Sequence, residues 1–274
     1  MHDQGDGAAR LILNLYLSLF LLWLILPVVA LLWPAFDAIA GASFDATAGG
    51  WAPPVAAVFA DAGSMRGLLG SLAVGLAVVA LSLPLGLAGA LAIHRLGDRA
   101  AGLLFAVLVA PILVPGVVQG LAASLAASEV GIDGGLVLAA LARSSQTAAC
   151  AMLLFLARLD PLDPRLEQAA IDLGASRGLV MRRILWPHLA PTAVVAGLVA
   201  FVQGFGDHDT IALALGGERT LVGDLVARLP EGAGAGADPR AAATGVLVVA
   251  VTLAVVLLWL RLRHRETPLD AARR

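Results

Sequence analysis

An all-α bundle that crosses a membrane six times is the fold this sequence predicts, and three observations predict it. Charged residues make up 14% of the 274 positions and mean hydropathy is +0.89, whereas a soluble domain carries roughly 25% charged residues. Apolar runs of near-span length recur at 11–33, 68–93, 102–126, 136–156, 189–205 and 241–260. About 20 residues cross the hydrocarbon core, and backbone groups in lipid must bond within their own segment, so the runs are helices. Finally, the arginines sort by side. With both ends in the cytoplasm, 13 of them flank the cytoplasmic ends and 4 (Arg66, Arg219, Arg228, Arg240) the outer ends, with Arg143 inside a span. Basic residues favour the cytoplasmic side, and five or seven spans would spoil the asymmetry.

The first run, 11–33, follows Arg10 and holds 23 residues. A signal-peptide core is about 7–15 residues, so a retained helix is expected despite the small triplet Ala40-Gly41-Ala42. A long outer loop, 34–67, follows. The second and third spans contain Pro84, Pro111 and Pro115. Prolines there kink the helix and free carbonyls, which is tolerable only where protein or a cavity covers them. The runs are rich in Ala, Gly and Ser, which suits close helix packing. Outside the spans, Leu221, Val222, Leu225, Val226 and Leu229 recur at helical spacing, and 232–237 is a glycine-alanine linker. The organisation expected is an N-terminal part (1–67), a core of spans (68–262) and a C-terminal tail (263–274). Net charge is −2 and Cys150 is the sole cysteine, so neither nucleic acid binding nor a disulfide framework is indicated.

Residues 157–188 form the longest cytoplasmic loop, and their pattern is specific. Asp163-Pro164 reads as an N-cap followed by a first-turn proline. Leu166, Ala169, Ala170 and Leu173 then fall on one face of a short helix, with Arg165, Glu167, Gln168 and Asp172 opposite. Gly174 can take the positive φ that ends it. Ser176 can cap a second helix running through Arg182, Arg183 and Ile184 to Pro187. Helix, glycine elbow and helix make a projection able to enter a partner's groove. The competing reading is a helix lying on the membrane surface, and the caps and Gly174 favour the compact turn.

The stretch Glu167-Gln168-Ala169-Ala170-Ile171-Asp172-Leu173-Gly174-Ala175-Ser176, continuing to Ile184-Leu185-Trp186-Pro187, resembles the EAA loop of type I ABC importer permeases. Aligned on Gly174, the two alanines are Ala169 and Ala170, the isoleucine is Ile184 and the proline is Pro187. Two positions depart: Gln168 stands where the family has glutamate, with Glu167 one residue earlier, and Trp186 stands for leucine. Gln168 weakens the claim that a charge is required at that position. Weaker likenesses extend over residues 65–262: Pro111-Ile112-Leu113-Val114-Pro115-Gly116-Val117-Val118, Gly206-Asp207 with Ile211-Ala212-Leu213 and Thr220-Leu221, and Asp238-Pro239 look like polyamine- and thiamine-type permeases. The resemblance implies the type I permease fold in a bacterial inner membrane. It implies that Leu166, Glu167, Gln168, Ala169, Ala170, Leu173, Gly174, Ala175, Ile184 and Pro187 couple to an ABC ATPase dimer. It further implies a second six-span subunit, with a similar chain favoured over a second copy, and an extracytoplasmic solute-binding protein. No cofactor is implied in this chain. A nucleotide-binding Walker A loop needs a lysine and the sequence has none, so ATP would be bound by the partner.

Polar residues inside or beside the spans are the pathway candidates: Arg143, Gln146, Gln203, Asp207 and Asp209. An arginine at mid-helix costs about 2.5–3.5 kcal/mol on insertion scales, so Arg143 either faces the bundle or snorkels to the outer interface. Gln203, Asp207, His208 and Asp209 form either a gate or an ordinary solvated helix end. His208 has no second histidine or cysteine nearby, so a metal is not expected. His94 and His188 read as interfacial, and no catalytic set stands out. A gradient-driven transporter is the competing class, but it would usually carry carboxylates in span centres, and none does here. Asp207 and Asp209 lean towards a small cation, which the resemblance narrows to an organic cation of polyamine or thiamine type; ferric iron or an oxyanion are the alternatives within the family.

Overall fold

The computed structural model describes residues 14–23, 25–26, 59–96, 98–216, 219–227 and 239–265. All regular structure among these residues is helical. In order the helices are α1 (Asn14–Trp23), α2 (Ala62–Arg95), α3 (Asp98–Leu113), α4 (Gly116–Glu129), α5 (Leu136–Leu159), α6 (Pro164–Asp172), α7 (Arg177–Val180), α8 (Trp186–Gly206), α9 (Asp209–Ala214), α10 (Leu221–Ala227) and α11 (Pro239–Arg265). The chain divides into two compact units, Met1–Met65 with Leu225–Val249 and Arg66–Asp224 with Ala250–Arg274. The second unit holds both candidate sites.

Among the described residues, three helical stretches are long and apolar enough to cross a membrane: Ala62–Arg95, Leu136–Leu159 and Arg177–Gly206. The second span starts earlier than the expected residue 68, because Asp61 caps it. Its Oδ2 accepts from the backbone N and the hydroxyl of Ser64, at 2.9 and 2.8 Å. The first and last expected spans are represented by the shorter apolar helices Asn14–Trp23 and Leu247–Leu257; residues 11–13, 24 and 27–33 of the first run, Leu229 and the 232–237 linker lie outside the described residues.

The third expected span, 102–126, is not one helix. Arg99–Leu113 and Gly116–Glu129 meet at 101°. Pro115 has no N–H to give to the Pro111 carbonyl four residues back, and its ring crowds that carbonyl. The Gln119 side chain supplies the missing donor: its Nε2 lies 2.5 Å from Pro111 O and 3.1 Å from Val114 O. The break is thus satisfied from within the chain.

A second departure concerns the loop's second helix, expected to end at Pro187. Arg177–Gly206 runs on as one 30-residue helix. Met181–Leu185 forms a π turn, closed by the Trp186 N–H on Met181 O. The widened turn accommodates Pro187, which cannot donate to Arg183 O.

Small residues let these helices touch. A Cβ on Gly86 would lie 2.7 Å from Ala151 Cβ, and one on Gly204 would lie 3.0 Å from Val78. Around these contacts sit two apolar clusters. One joins Val74, Val78, Ala139, Ala200 and Ile211. The other joins Ala90, Met152, Phe155, Leu185 and Leu189. Between them Ser82 Oγ lies 2.5 Å from Thr147 Oγ1 and donates to Ser144 O at 3.4 Å, so buried hydroxyls satisfy one another.

Contacts sort the connections to two ends. Arg95, the last residue of α2, pairs with Glu167 on α6, and α3 starts just beyond it. At the opposite end Gly135 N donates to Ala214 O at 2.8 Å and Gly134 lies against Gly216. Leu221 N donates there to Ser71 Oγ at 2.9 Å. The bent α3–α4 pair therefore leads from one end to the other, as a broken span does.

Candidate functional site

At the first end, α6 forms because its start and stop are both written into local residues. Asp163 Oδ1 accepts from Arg165 N at 2.9 Å, and Pro164 holds the first turn. At the other terminus Gly174 has φ +86. Its N–H bonds Ile171 O at 2.8 Å, while Ala175 N bonds Ala170 O at 3.0 Å. Those two bonds are a Schellman closure, and they bring the small residues Ala170 and Ala175 together across the elbow. Ser176 Oγ then accepts from Leu179 N at 3.3 Å to start α7.

The helix presents different faces to solvent and bundle. Leu166 is 52% exposed and Leu173 89% exposed; Gln168, Ala169 and Pro187 are also exposed, and Ala170, Ala175 and Ile184 are half-buried. Glu167 turns inward, with its side chain 16% exposed and its carboxylate 3.5 Å from Arg95. At the base of the loop Arg158 Nε donates to His188 O at 3.3 Å, and His188 Nε2 donates to Arg158 O at 2.9 Å. That reciprocal pair closes the chain where it leaves α5 and enters α8.

At the other end the fold gathers four of the five expected pathway residues. Arg143 on α5 donates to Gln146 Oε1 at 2.5 Å and to Gln203 Oε1 of α8 at 2.8 Å. Its Nε stands 3.4 Å from Asp207 Oδ2, with side-chain exposures of 12% and 11%. Arginine has no acceptor, so both glutamines must turn their carbonyl oxygens towards it. Of the two readings of Arg143, the bundle-facing one describes this site. Arg143 does not snorkel, and Asp207 is not a solvated helix end, because each neutralises the other. The pair is imperfect, since neither Nε nor Oδ2 completes a hydrogen bond. Asp209 stays exposed at the start of α9, outside the cluster.

Residues 82–265 match the family described as "Binding-protein-dependent transport system inner membrane component". The chain belongs to that family. It is thus a membrane-embedded permease component of a bacterial ABC importer and not an enzyme, in a family whose transport depends on a binding protein. Permease subunits of this kind carry no cofactor, ATP being bound by the ATPase. Solved structures of the same fold support the architecture. A bacterial ABC transporter involved in the import of the acidic polysaccharide alginate aligns at TM-score 0.70 and 16% identity, over 96% of this chain and 97% of that one. A bacterial alginate ABC transporter in complex with an alginate pentasaccharide-bound periplasmic protein aligns at 0.68 and 18%, over 97% and 96%. An amino acid ABC transporter with histidines aligns at 0.56 and 17%, over 73% and 92%. No curated protein sequence matches the permease.

Three features of the permease escape sequence reading: the Arg95–Glu167 pair, the Arg158–His188 pair and Gln119. Only the last leaves a signal, a lone amide four residues after Pro115 in an apolar helix. Gln119 also accepts from Ser145 Oγ at 3.4 Å. Both line an otherwise apolar cleft of about 540 Å³ with Val107, Pro111, Val114 and Leu141.

Proposed function

We propose that this permease forms half of the translocation route of its importer and is driven by a separate ATPase dimer through residues 157–188. The observation that carries this reading is the exposed apolar face of α6. Leu166, Ala169 and Leu173 stand clear of the bundle on a helix held by two caps and a left-handed glycine. An apolar face beyond the spans is explained by a partner groove that covers it. A second six-span subunit completes the route, a similar chain being favoured over a second copy. Ile184 and Pro187 anchor the projection to α8, so a push on the loop reaches that span directly.

In this reading both termini lie in the cytoplasm and six spans cross the inner membrane. Cysteine labelling on a Cys150-free background tests the orientation: position 177 is expected to react from the cytoplasm and position 235 from outside, and the reverse pattern overturns it. Arg143, Gln146, Gln203 and Asp207 face the route, because charges and amides exposed to lipid are costly. For the solute, the lean towards a polyamine- or thiamine-like cation narrows to Asp209, since Arg143 offsets Asp207. The binding protein supplies most of the selectivity. Proteoliposomes loaded with ATP, with and without the ATPase subunit, test the whole reading. Uptake from the loaded binding protein is expected only when the ATPase is present; ATPase-independent uptake driven by an ion gradient overturns it.

A further inference from the structure

The permease departs from its family where Gln168 stands in place of glutamate, and the carboxylate one residue earlier has a partner inside the chain. Adjacent helix positions point about 100° apart, so residues 167 and 168 cannot serve the same neighbour. Gln168 is exposed on the polar face, away from Leu166, whereas the Glu167 side chain is 16% exposed and meets Arg95 at 3.5 Å. We propose that Glu167 is a positioning residue that ties α6 to the end of α2, and that it acts through Arg95 and not through contact with the ATPase. This inference rests on the docking reading above.

The consequence lies in what α2 is attached to. It is 34 residues long, which at 1.5 Å per residue is a rod of about 50 Å. Its early turns hold the opposite end of the bundle. Ser71 Oγ accepts from Leu221 N at 2.9 Å, Gly70 lies against the Arg219 carbonyl, and Gly75 and Gly204 bring α2 and α8 into contact. Chain connection already carries loop movement into α5 and α8. The Arg95–Glu167 pair adds α2, and with it the segment 219–221 at the far end. Glu167 sits in the first turn of α6 and Arg95 in the last turn of α2, so each charge also suits the helix dipole beside it.

The test uses the assembled complex in proteoliposomes, with ATPase subunits, second permease subunit and the binding protein as purified. Its readouts are ATPase stimulation by the binding protein and retention of the ATPase subunit on the affinity-purified complex. Glu167→Gln and Arg95→Gln are each expected to lower stimulation by about fivefold, the scale of one partly screened ion pair, while the ATPase subunit stays bound. The exchange Arg95→Glu with Glu167→Arg restores stimulation. Release of the ATPase by Glu167→Gln but not by Arg95→Gln would place Glu167 against the partner and overturn the proposal. So would full stimulation in both single variants, or no recovery in the exchange. Leu173→Asp in the same preparation separates this from the docking reading. If it keeps both the ATPase subunit and full stimulation, docking itself fails, whatever the strut variants do.

Discussion

The two ends of the bundle are built by opposite means. At the loop end, every bond that shapes the α6–Gly174–α7 turn joins residues at most five apart in sequence. At the other end, Arg143 finds Gln203 across 60 residues and Asp207 beyond it. The first end keeps its apolar face exposed, and its turn is closed by local bonds. The second buries charge and leaves Nε and Oδ2 without full hydrogen bonds. A docking element must hold its shape before a partner arrives, so local closure suits it. A site between two spans has meaning only when the spans are in register, and it reports on that register.

Substitutions can break this contrast, beginning where the largest effect is expected. Removing one member of a buried pair strands the other charge, which costs about 3–5 kcal/mol. Asp207→Ala or Arg143→Ala should therefore lower the unfolding temperature of the detergent-solubilised permease sharply. The double change Arg143→Met with Asp207→Leu should cost less than either single change. Equal losses in all three would mean that the pair is not coupled. In reconstituted vesicles Arg143→Ala should also raise basal ATPase activity, if the pair closes the route.

Gly174→Val comes next. Nothing lies within 4 Å of a Cβ built there, so the cost is backbone strain at φ +86, about 1–3 kcal/mol. That strain stays within the loop. The variant should insert normally but lose binding-protein-stimulated ATPase, whereas Gly174→Asn, tolerant of the left-handed region, should retain most of it. Normal stimulation in Gly174→Val would remove the elbow from the mechanism.

A smaller effect is expected at the bend, which mixes the two modes of construction. Gln119→Leu takes the donor from Val114 O and leaves Pro111 O with the long bond from Val114 N at 3.3 Å, at about 1–3 kcal/mol. Combining it with Pro115→Ala restores a backbone N–H for Pro111 O, so the pair of changes should be more stable than Gln119→Leu alone. Thermal unfolding of the three variants decides it. The smallest effect belongs to Asp163→Ala, which removes the α6 N-cap and should cost about 1 kcal/mol. It should show as faster amide exchange over 165–167 with Arg143 and its partners unaffected.

The sequence by itself determined the helical class and the whole helix–elbow–helix of 163–180. Capping residues, proline and glycine act within a few positions, and lipid leaves the backbone no other option. It identified Arg143, Gln146, Gln203 and Asp207 as costly residues but could not choose between a snorkelling arginine and a paired one, because that depends on α8 lying beside α5. It marked Pro111 and Pro115 as kinks, yet a bend of 101° depends on where Gln119 points and on the packing of Gly116 and Gly120 against Thr210. Nor could it show that Glu167 faces inward, since helical spacing alone sets Glu167 among the polar residues with Gln168. Only the arrival of Arg95, 72 residues earlier in the chain, gives that carboxylate a partner. Periodicity records which face of a helix a residue occupies; what stands opposite that face belongs to the tertiary structure.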